Sequence, residues 1–218
     1  MALNKLKFNS INVTPVASKA IRFNSSANGL ETADAGGSLV KIASTTASSS
    51  SSISFTSGID STYKEYIFHF NNIHPAQDGT NGRLTFNLSV DGGSNYNVTK
   101  TTSFFEASHD EGGSSTNLGY ESSHDLAQGT GYQNLARSLG NDADHNLAGY
   151  LHLFDPSNTT FVKHFMANIS TNFAGDPDYA AQSFVAGYGN TTSAVNAISF
   201  QCTSGNIDAG TITMYGVS

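Results

Sequence analysis

Short pairings of histidine with carboxylates are the first features of this sequence that could do chemistry. His109-Asp110-Glu111 and His124-Asp125 set a base beside acids. Acid–base catalysis needs such groups within hydrogen-bond reach of a substrate proton and with shifted pKa values. Adjacency in sequence supplies neither, so structural or surface roles are expected. Asp142, Asp144 and His145 lie in NDADHN, and Asp176 and Asp178 in GDPD. A hard cation such as Ca²⁺ takes about six to eight oxygens, often from paired loop carboxylates. These spacings are compatible with that but lack the full loop grammar, and solvated acidic turns are the plainer reading. His69, His152 and His164 stand among aromatics with no C-x-x-C or H-E-x-x-H spacing, so zinc is not supported. S-x-x-K occurs at 38–41 and 61–64, but a chain with 30 serines is expected to produce it by chance. No G-x-S-x-G elbow, phosphate-binding loop or dinucleotide fingerprint is present. The chain is therefore read as non-enzymatic, with no catalytic residue, metal or cofactor assigned.

Binding is the better expectation. Tyr120, Tyr132, Tyr179 and Tyr188 fall in or near polar, loop-like stretches. Tyrosine offers rigid contact area at low entropic cost. With Asp142, Asp144, Asp176 and Asp178 these tyrosines form the candidate ligand loops, the alternative being that they cap the ends of the fold. SVDGGSNY at 89–96 matches the Asp-box pattern of sialidases and other glycan-associated β-proteins. Its physics is local, because the aspartate side chain accepts backbone N–H bonds and folds a turn. The single cysteine, Cys202, shares strand parity with Ile198 and Phe200. It is expected in the core, and it excludes an intrachain disulfide.

The elements that must carry these residues read as strands. Ser, Thr, Asn and Gly make up 93 of the 218 residues, and only 12% are charged. Helix formers are scarce, while β-branched and aromatic residues alternate with polar ones. In YKEYIFHF, Tyr66, Phe68 and Phe70 share a face. In RLTFNLSV, Leu84, Phe86, Leu88 and Val90 point one way and Arg83, Thr85, Asn87 and Ser89 the other. The glycines that follow predict a hairpin into 96–105. Later strands are expected at 147–154, 161–169, 182–188, 197–203 and 211–217. The stretch 107–146 has no strong period and is expected to be a long loop with a short helix near Ala127 or Leu135. The Ser-rich run 44–52 is expected as an edge strand. About ten strands with short turns imply an all-β fold, a jelly-roll-like antiparallel β-sandwich over 38–218.

Charge divides the chain. Residues 1–41 hold five basic and two acidic side chains, whereas 42–218 hold five and fifteen. Residues 1–37 are expected to form an extended N-terminal arm that docks on a partner through Lys5, Lys7, Phe8, Lys19, Arg22 and Phe23. The acidic body argues against nucleic acid as a partner. No run of about 18 apolar residues suggests a membrane span, and no apolar stretch after Lys5 and Lys7 reads as a secretory signal.

YKEYIFHFNNIHPAQD (63–78) and SGNIDAGTITMYGVS (204–218) resemble virion structural proteins of marine tailed phages, often described as tail-fibre-like. LHLFDPSNTTFVKHF (151–165) and GYGNTTSAVNAISF (187–200) look like the same group. The resemblance covers most of 38–218. It implies a non-enzymatic virion surface protein made in the host cytoplasm, either a tail fibre or a head decoration. Its implied partners are other capsid or tail proteins, further copies of itself in a homotrimer, and a host surface glycan. The alternative is a carbohydrate-binding β-sandwich module with weak Ca²⁺ dependence. The family carries no settled functional residues to transfer.

Overall fold

The computed structural model describes residues 14, 16, 19–34, 38–79, 81–173 and 177–218, and these contain no helix. The chain divides into two compact units, residues 1–38 with Ser218, and residues 39–217. In the first, β1 (Lys19–Phe23) and β2 (Leu30–Asp34) pair antiparallel, with Phe23 opposite Leu30. Asn24 turns the chain back: its carbonyl accepts from Ala27 N–H at 2.9 Å and its side chain accepts from Asn28 N–H at 3.2 Å. These residues form a hairpin where the sequence reading expects an extended arm.

The second unit is an antiparallel β-sandwich. Its strands are β3 (Leu39–Thr46), β4 (Ile53–Phe55), β5 (Glu65–Pro75), β6 (Leu84–Ser89), β7 (Lys100–Asp110) and β8 (Thr116–Tyr120). They continue as β9 (Gln133–Asn134), β10 (Leu147–Phe154), β11 (Lys163–Phe173), β12 (Tyr179–Gly189), β13 (Ala197–Cys202) and β14 (Ile207–Val217). One sheet has eight strands in the order β3-β14-β5-β10-β11-β12-β7-β8, and the other has four in the order β4-β13-β6-β9. Period-2 patterning explains how they meet. Tyr66, Phe68 and Phe70 of β5, Leu151 and Leu153 of β10, and Phe165 and Ile169 of β11 are all almost fully buried. Phe200 of the small sheet packs between Phe68 and Phe70, with ring centroids 5.5 and 5.3 Å away, and Phe86 meets Phe165 edge-on at 5.0 Å. Cys202 lies in this core, and burial pushes its thiol pKa up to about 12.

Four expectations about elements are corrected. First, 83–105 is not a hairpin: β6 pairs with β13 and β9, β7 pairs with β12 and β8, and residues 90–99 cross between sheets. Second, Thr85, Asn87 and Ser89 are as buried as their apolar neighbours. Asn87 donates to the carbonyls of Tyr96 at 2.6 Å and Thr130 at 3.0 Å, so loop backbone covers the polar face of the strand as well. Third, 107–146 contains the end of β7, β8 and β9, and Leu135 is a core residue rather than part of a helix. Fourth, the Ser-rich edge strand stops at Thr46, beyond which only Ser50 makes a bridge, to Ile207.

Candidate functional site

The large sheet is wider than the small one, and its inner face continues past the shared core onto β7, β8 and β12. Strand parity places Glu106, Ser108 and Asp110 of β7 on that face. Gly119 and Asn117 of β8 stand opposite Glu106 and Ser108, and Ser183 and Ala181 of β12 stand opposite them on the other side. The segment 121–138 lies along this ground. It is tied by Glu121 N–H to the Phe104 carbonyl at 2.9 Å, Thr102 N–H to the Leu126 carbonyl at 2.9 Å, and Thr102 Oγ1 to Gln133 Oε1 at 2.7 Å. Between sheet and segment is a cleft of about 540 Å³, lined by Ser108, Ser115, Asn117, Glu121, Arg137, Phe173 and Tyr179. A second hollow of about 380 Å³ shares Glu121, Arg137 and Phe173 with it and adds Arg83, Ser123 and His124.

Charge in the cleft is arranged around Arg137. Its Nη1 lies 3.5 Å from Glu106 Oε1 and 3.9 Å from Glu121 Oε1. Glu106 is fully buried; its Oε2 accepts from Ser183 Oγ at 3.0 Å, while Oε1 has no hydrogen-bond partner. Burial pushes the Glu106 pKa above the usual carboxylate range, against the opposing pull of the Ser183 hydroxyl and the Arg137 charge. Arg83 Nε donates to the Arg137 carbonyl at 2.6 Å, which fixes the backbone that presents the guanidinium. His124, buried against the Phe104 ring at 5.3 Å, has its pKa lowered, first by burial and then by the Arg83 charge. Phe173 and Tyr179, cross-strand partners, stack with centroids 5.3 Å apart and planes within 4°. The cleft thus combines an aromatic wall, short polar side chains and one incompletely engaged guanidinium.

Most candidate residues from the sequence lie elsewhere. Asp142 and Asp178 converge on His145, not on each other. His145 Nε2 is 2.9 Å from Asp178 Oδ2, and Nδ1 is 3.9 Å from Asp142 Oδ2. Asp144 is exposed and contributes its carbonyl to Asn172 Nδ2 at 3.1 Å, and Asp176 lies outside the described residues. Among the described residues no three His, Cys, Asp or Glu side chains are grouped to hold a metal. Tyr120 bonds Asp125 and is exposed, Tyr132 is half-buried beside β9, and Tyr188 is within β12, its ring 6.0 Å from that of His164. Of the tyrosines and aspartates proposed, only Tyr179 lines the cleft. Lys19, Arg22 and Phe23 are on β1; Arg22 pairs with Glu31 at 3.0 Å and Phe23 is exposed, whereas Lys5, Lys7 and Phe8 lie outside the described residues. In the Asp-box segment, Asp91 Oδ1 accepts from Asn95 N–H at 2.9 Å and Ser89 Oγ at 2.7 Å. Hydrogen bonds from Asn95, then Ser89, hold its pKa down at about 2.

Sequence reasoning missed Glu106, Glu121, Arg137, Arg83 and Phe173. The signal for Glu106 was available: a carboxylate at the same strand parity as Phe104 is a charge placed inward.

A second surface stands out on the outer face of the large sheet. Rings run along it from Tyr215 to His69 at 5.1 Å, Tyr150 at 6.5 Å, His152 at 5.1 Å and Phe154 at 5.9 Å. Across β12 and β7, Phe184 and Phe105 stack at 4.8 Å, and a hollow of about 340 Å³ between Phe105, Tyr150, Met166 and Phe184 is mostly apolar. Glu65, bonded to His152, is a lone charge beside these rings on β5 and β10.

No protein-family model matches the chain, and no curated protein or solved structure matches it either.

Proposed function

We propose that the chain is a non-enzymatic surface protein of a tailed-phage virion. Its sandwich packs against further copies through the aromatic outer face, and its N-terminal unit docks on capsid or tail. The observation that carries this reading is the outer face itself. A body with ten more acidic than basic side chains over 42–218 repels its own copies, and an almost uncharged aromatic face is where like-charged copies can meet. Six strands spaced about 4.8 Å apart and about six residues deep give roughly 550 Å² per copy, so a pair buries roughly 1,100 Å², enough for a specific contact. Closed symmetry is the default for such self-association, and a homotrimer is the assembly we propose. The strand path supports the jelly-roll form. The chain alternates between sheets, with β3-β14-β5-β10 answering β4-β13-β6-β9, and β7–β8 and β11–β12 added as extra strands to the large sheet.

The test is a mass-spectrometric copy count of the chain in purified virions, against the major capsid protein. A near-stoichiometric ratio identifies a head decoration, and a ratio of a few per cent identifies a tail fibre. Absence from particles overturns the reading. For assembly, Met166→Asp, half exposed on the outer face, is expected to give monomers in sedimentation with an unchanged Tm. A variant that still assembles removes this face as the interface.

A further inference from the structure

We propose that β8 is a self-pairing edge: two copies of the chain join their β8 strands antiparallel about a two-fold axis at Leu118, so that their large sheets run on into one another. This goes beyond the outer-face contact and does not depend on the virion assignment, because β8 lies outside the strands that carry the aromatic rings of that face.

The first observation is a set of unpaired main-chain groups. β8 ends the large sheet, with β7 on one side and, among the described residues, no strand on the other. Ser115 accepts from Asp110 N–H at 3.0 Å, and Glu121 N–H donates to the Phe104 carbonyl at 2.9 Å. In the register that pairs Phe105 with Tyr120, these bonds put the odd-numbered residues of the strand in the ladder to β7. Thr116, Leu118 and Tyr120 therefore aim their N–H and C=O groups away from the sheet, and all three residues are exposed.

The second observation is that this edge is unguarded. Sheet edges are ordinarily blunted by lysine, proline, a bulge or short length. The opposite edge of the large sheet, β3, carries Lys41 and a bulge at Ile42. The small sheet ends in β4 and β9, of three and two residues. β8 reads TNLGY, five residues without charge, proline or bulge. Its Leu118 is 74% exposed, more than any other large hydrophobic side chain among the described residues.

The third observation names a second copy as the occupant. A two-fold axis at Leu118 sets Leu118 opposite the partner's Leu118 and Thr116 opposite the partner's Tyr120. All of these are outward-bonding positions, so every free N–H and C=O of both strands is used. A register shifted by two residues leaves the groups of Thr116 or Tyr120 beyond the end of the partner strand. The two leucines then meet on the outer face, beside Tyr120 and its cross-strand neighbour Phe105. Charge agrees. The first carboxylate beyond the strand, Glu121, falls opposite the partner's Ser115 and not its own copy, so like-charged bodies can approach here. A charged peptide would find no opposite charge on the strand. Five residues give an edge only about 17 Å long, too short for the ~1,200 Å² of a standard interface. The pairing is therefore weak alone, which leaves the Met166→Asp monomer expected in dilute solution. It links assemblies in which several edges engage at once.

The experiment is disulfide trapping in the concentrated full chain, with glutathione disulfide taking up the two electrons. Directly opposite, hydrogen-bonded residues stand about 5.5 Å apart at Cα, within the span a disulfide bridges. The native Cys202 is buried, with its thiol pKa pushed up to about 12, and stays silent. Leu118→Cys is expected to link to itself at least about tenfold faster than Val90→Cys, an exposed position outside β8. Thr116→Cys and Tyr120→Cys are expected to link to each other when mixed, and each alone no faster than Val90→Cys. Leu118→Cys no faster than Val90→Cys overturns the proposal. So does self-linking of Thr116→Cys or Tyr120→Cys as fast as their mixture. Leu118→Lys, at an exposed site, is expected to halt the growth of wild-type assemblies with concentration in sedimentation, and unchanged growth counts equally against the edge. Trapping repeated in Met166→Asp reads β8 without the outer face. The same pattern is expected there at a slower rate, and its loss overturns pairing as a property of β8 itself. Assembly that survives Met166→Asp removes the outer-face reading and, with the trapping pattern intact, supports the edge.

Discussion

Lys100 and Glu106 lie six positions apart on one strand and one face, both fully buried, and the fold treats them in opposite ways. Lys100 Nζ donates to Asn87 Oδ1 and, at 2.8 Å, to the Val98 carbonyl. A second buried lysine, Lys163, flanks the same position from the other side. Both pair in register with Gly189, and Lys163 Nζ reaches the carbonyls of Phe161 at 2.6 Å and Thr191 at 3.2 Å. That end of the sheet is closed by the chain's own oxygens. At the other end, Glu106 has one oxygen satisfied by Ser183 and one left facing Arg137 at the wall of a cleft. Burying a charge therefore does not mark a site. What distinguishes the two ends is whether the polypeptide completes the partner set itself.

The largest effect that would test this contrast is at Lys100. Lys100→Ala deletes the stem and strands the Asn87 and Val98 acceptors, and it is expected to cost about 3–5 kcal/mol in denaturant unfolding. A cost under about 1 kcal/mol would mean that the lysine end is not closed in the sense argued. Lys100→Met keeps the volume and is expected to cost less. Its pH dependence is the sharper readout. Burial holds the Lys100 pKa at about 7 against 10.5 unfolded. Between those values the unfolded chain binds a proton that the folded chain does not, so this group's contribution to stability rises as pH rises from about 7 towards 10.5. Wild type minus Lys100→Met, measured at pH 7 and pH 10, should grow by a few kcal/mol at about 1.4 kcal/mol per unit. A flat difference would remove the lysine from the contrast.

Glu106→Gln should move stability the other way. The Glu106 pKa is raised in the folded state, mainly by burial. Its contribution is therefore full below the unfolded value near 4.5 and is lost as pH rises through the folded value. Because the folded value lies above the unfolded one, ionising this buried carboxylate costs stability at pH values above 4.5. Glutamine, still able to accept from Ser183, is expected to unfold at a free energy higher by about 1 kcal/mol. That gain should fade by pH 4. A loss of stability at pH 7 would show that the Arg137 pair is a closed structural bridge like the lysine network.

The same contrast explains what was legible in the sequence. The inward-facing sets of strands, such as Tyr66-Phe68-Phe70 and Ile198-Phe200-Cys202, are readable because period-2 alternation is a local property. The all-β sandwich follows from repeating that signal. The partners of β6 and β7 are not local. A Gly-rich turn after an alternating strand is expected to close a hairpin, and here long-range pairing with β13 and β12 takes both strands instead. The cleft depends on that pairing. Glu106, Phe173 and Arg137 are far apart in the chain, and only the order β11-β12-β7-β8 sets them together. The loop tyrosines and aspartates attracted attention as residue types, yet only Tyr179 reaches the cleft, because it begins β12 opposite Phe173.

The smallest expected effect is at Gly119, which faces Glu106 from β8. A Cβ built there would meet Asn117 Nδ2 at 3.6 Å and Oδ1 at 3.8 Å, ordinary contact distances, and nothing closer. Gly140, by comparison, would put a Cβ 1.9 Å from His145 Nδ1. Gly119→Ala should therefore be neutral, or stabilising by up to about 0.5 kcal/mol through the unfolded chain's lost freedom. If the ground beside Glu106 is as open as those distances indicate, the methyl group enters without displacing the carboxylate, and the pH dependence of stability stays that of the wild type. A loss above about 1 kcal/mol would mean that the wall is already close-packed, as it is around Lys100, and would erase the difference between the two ends of the strand.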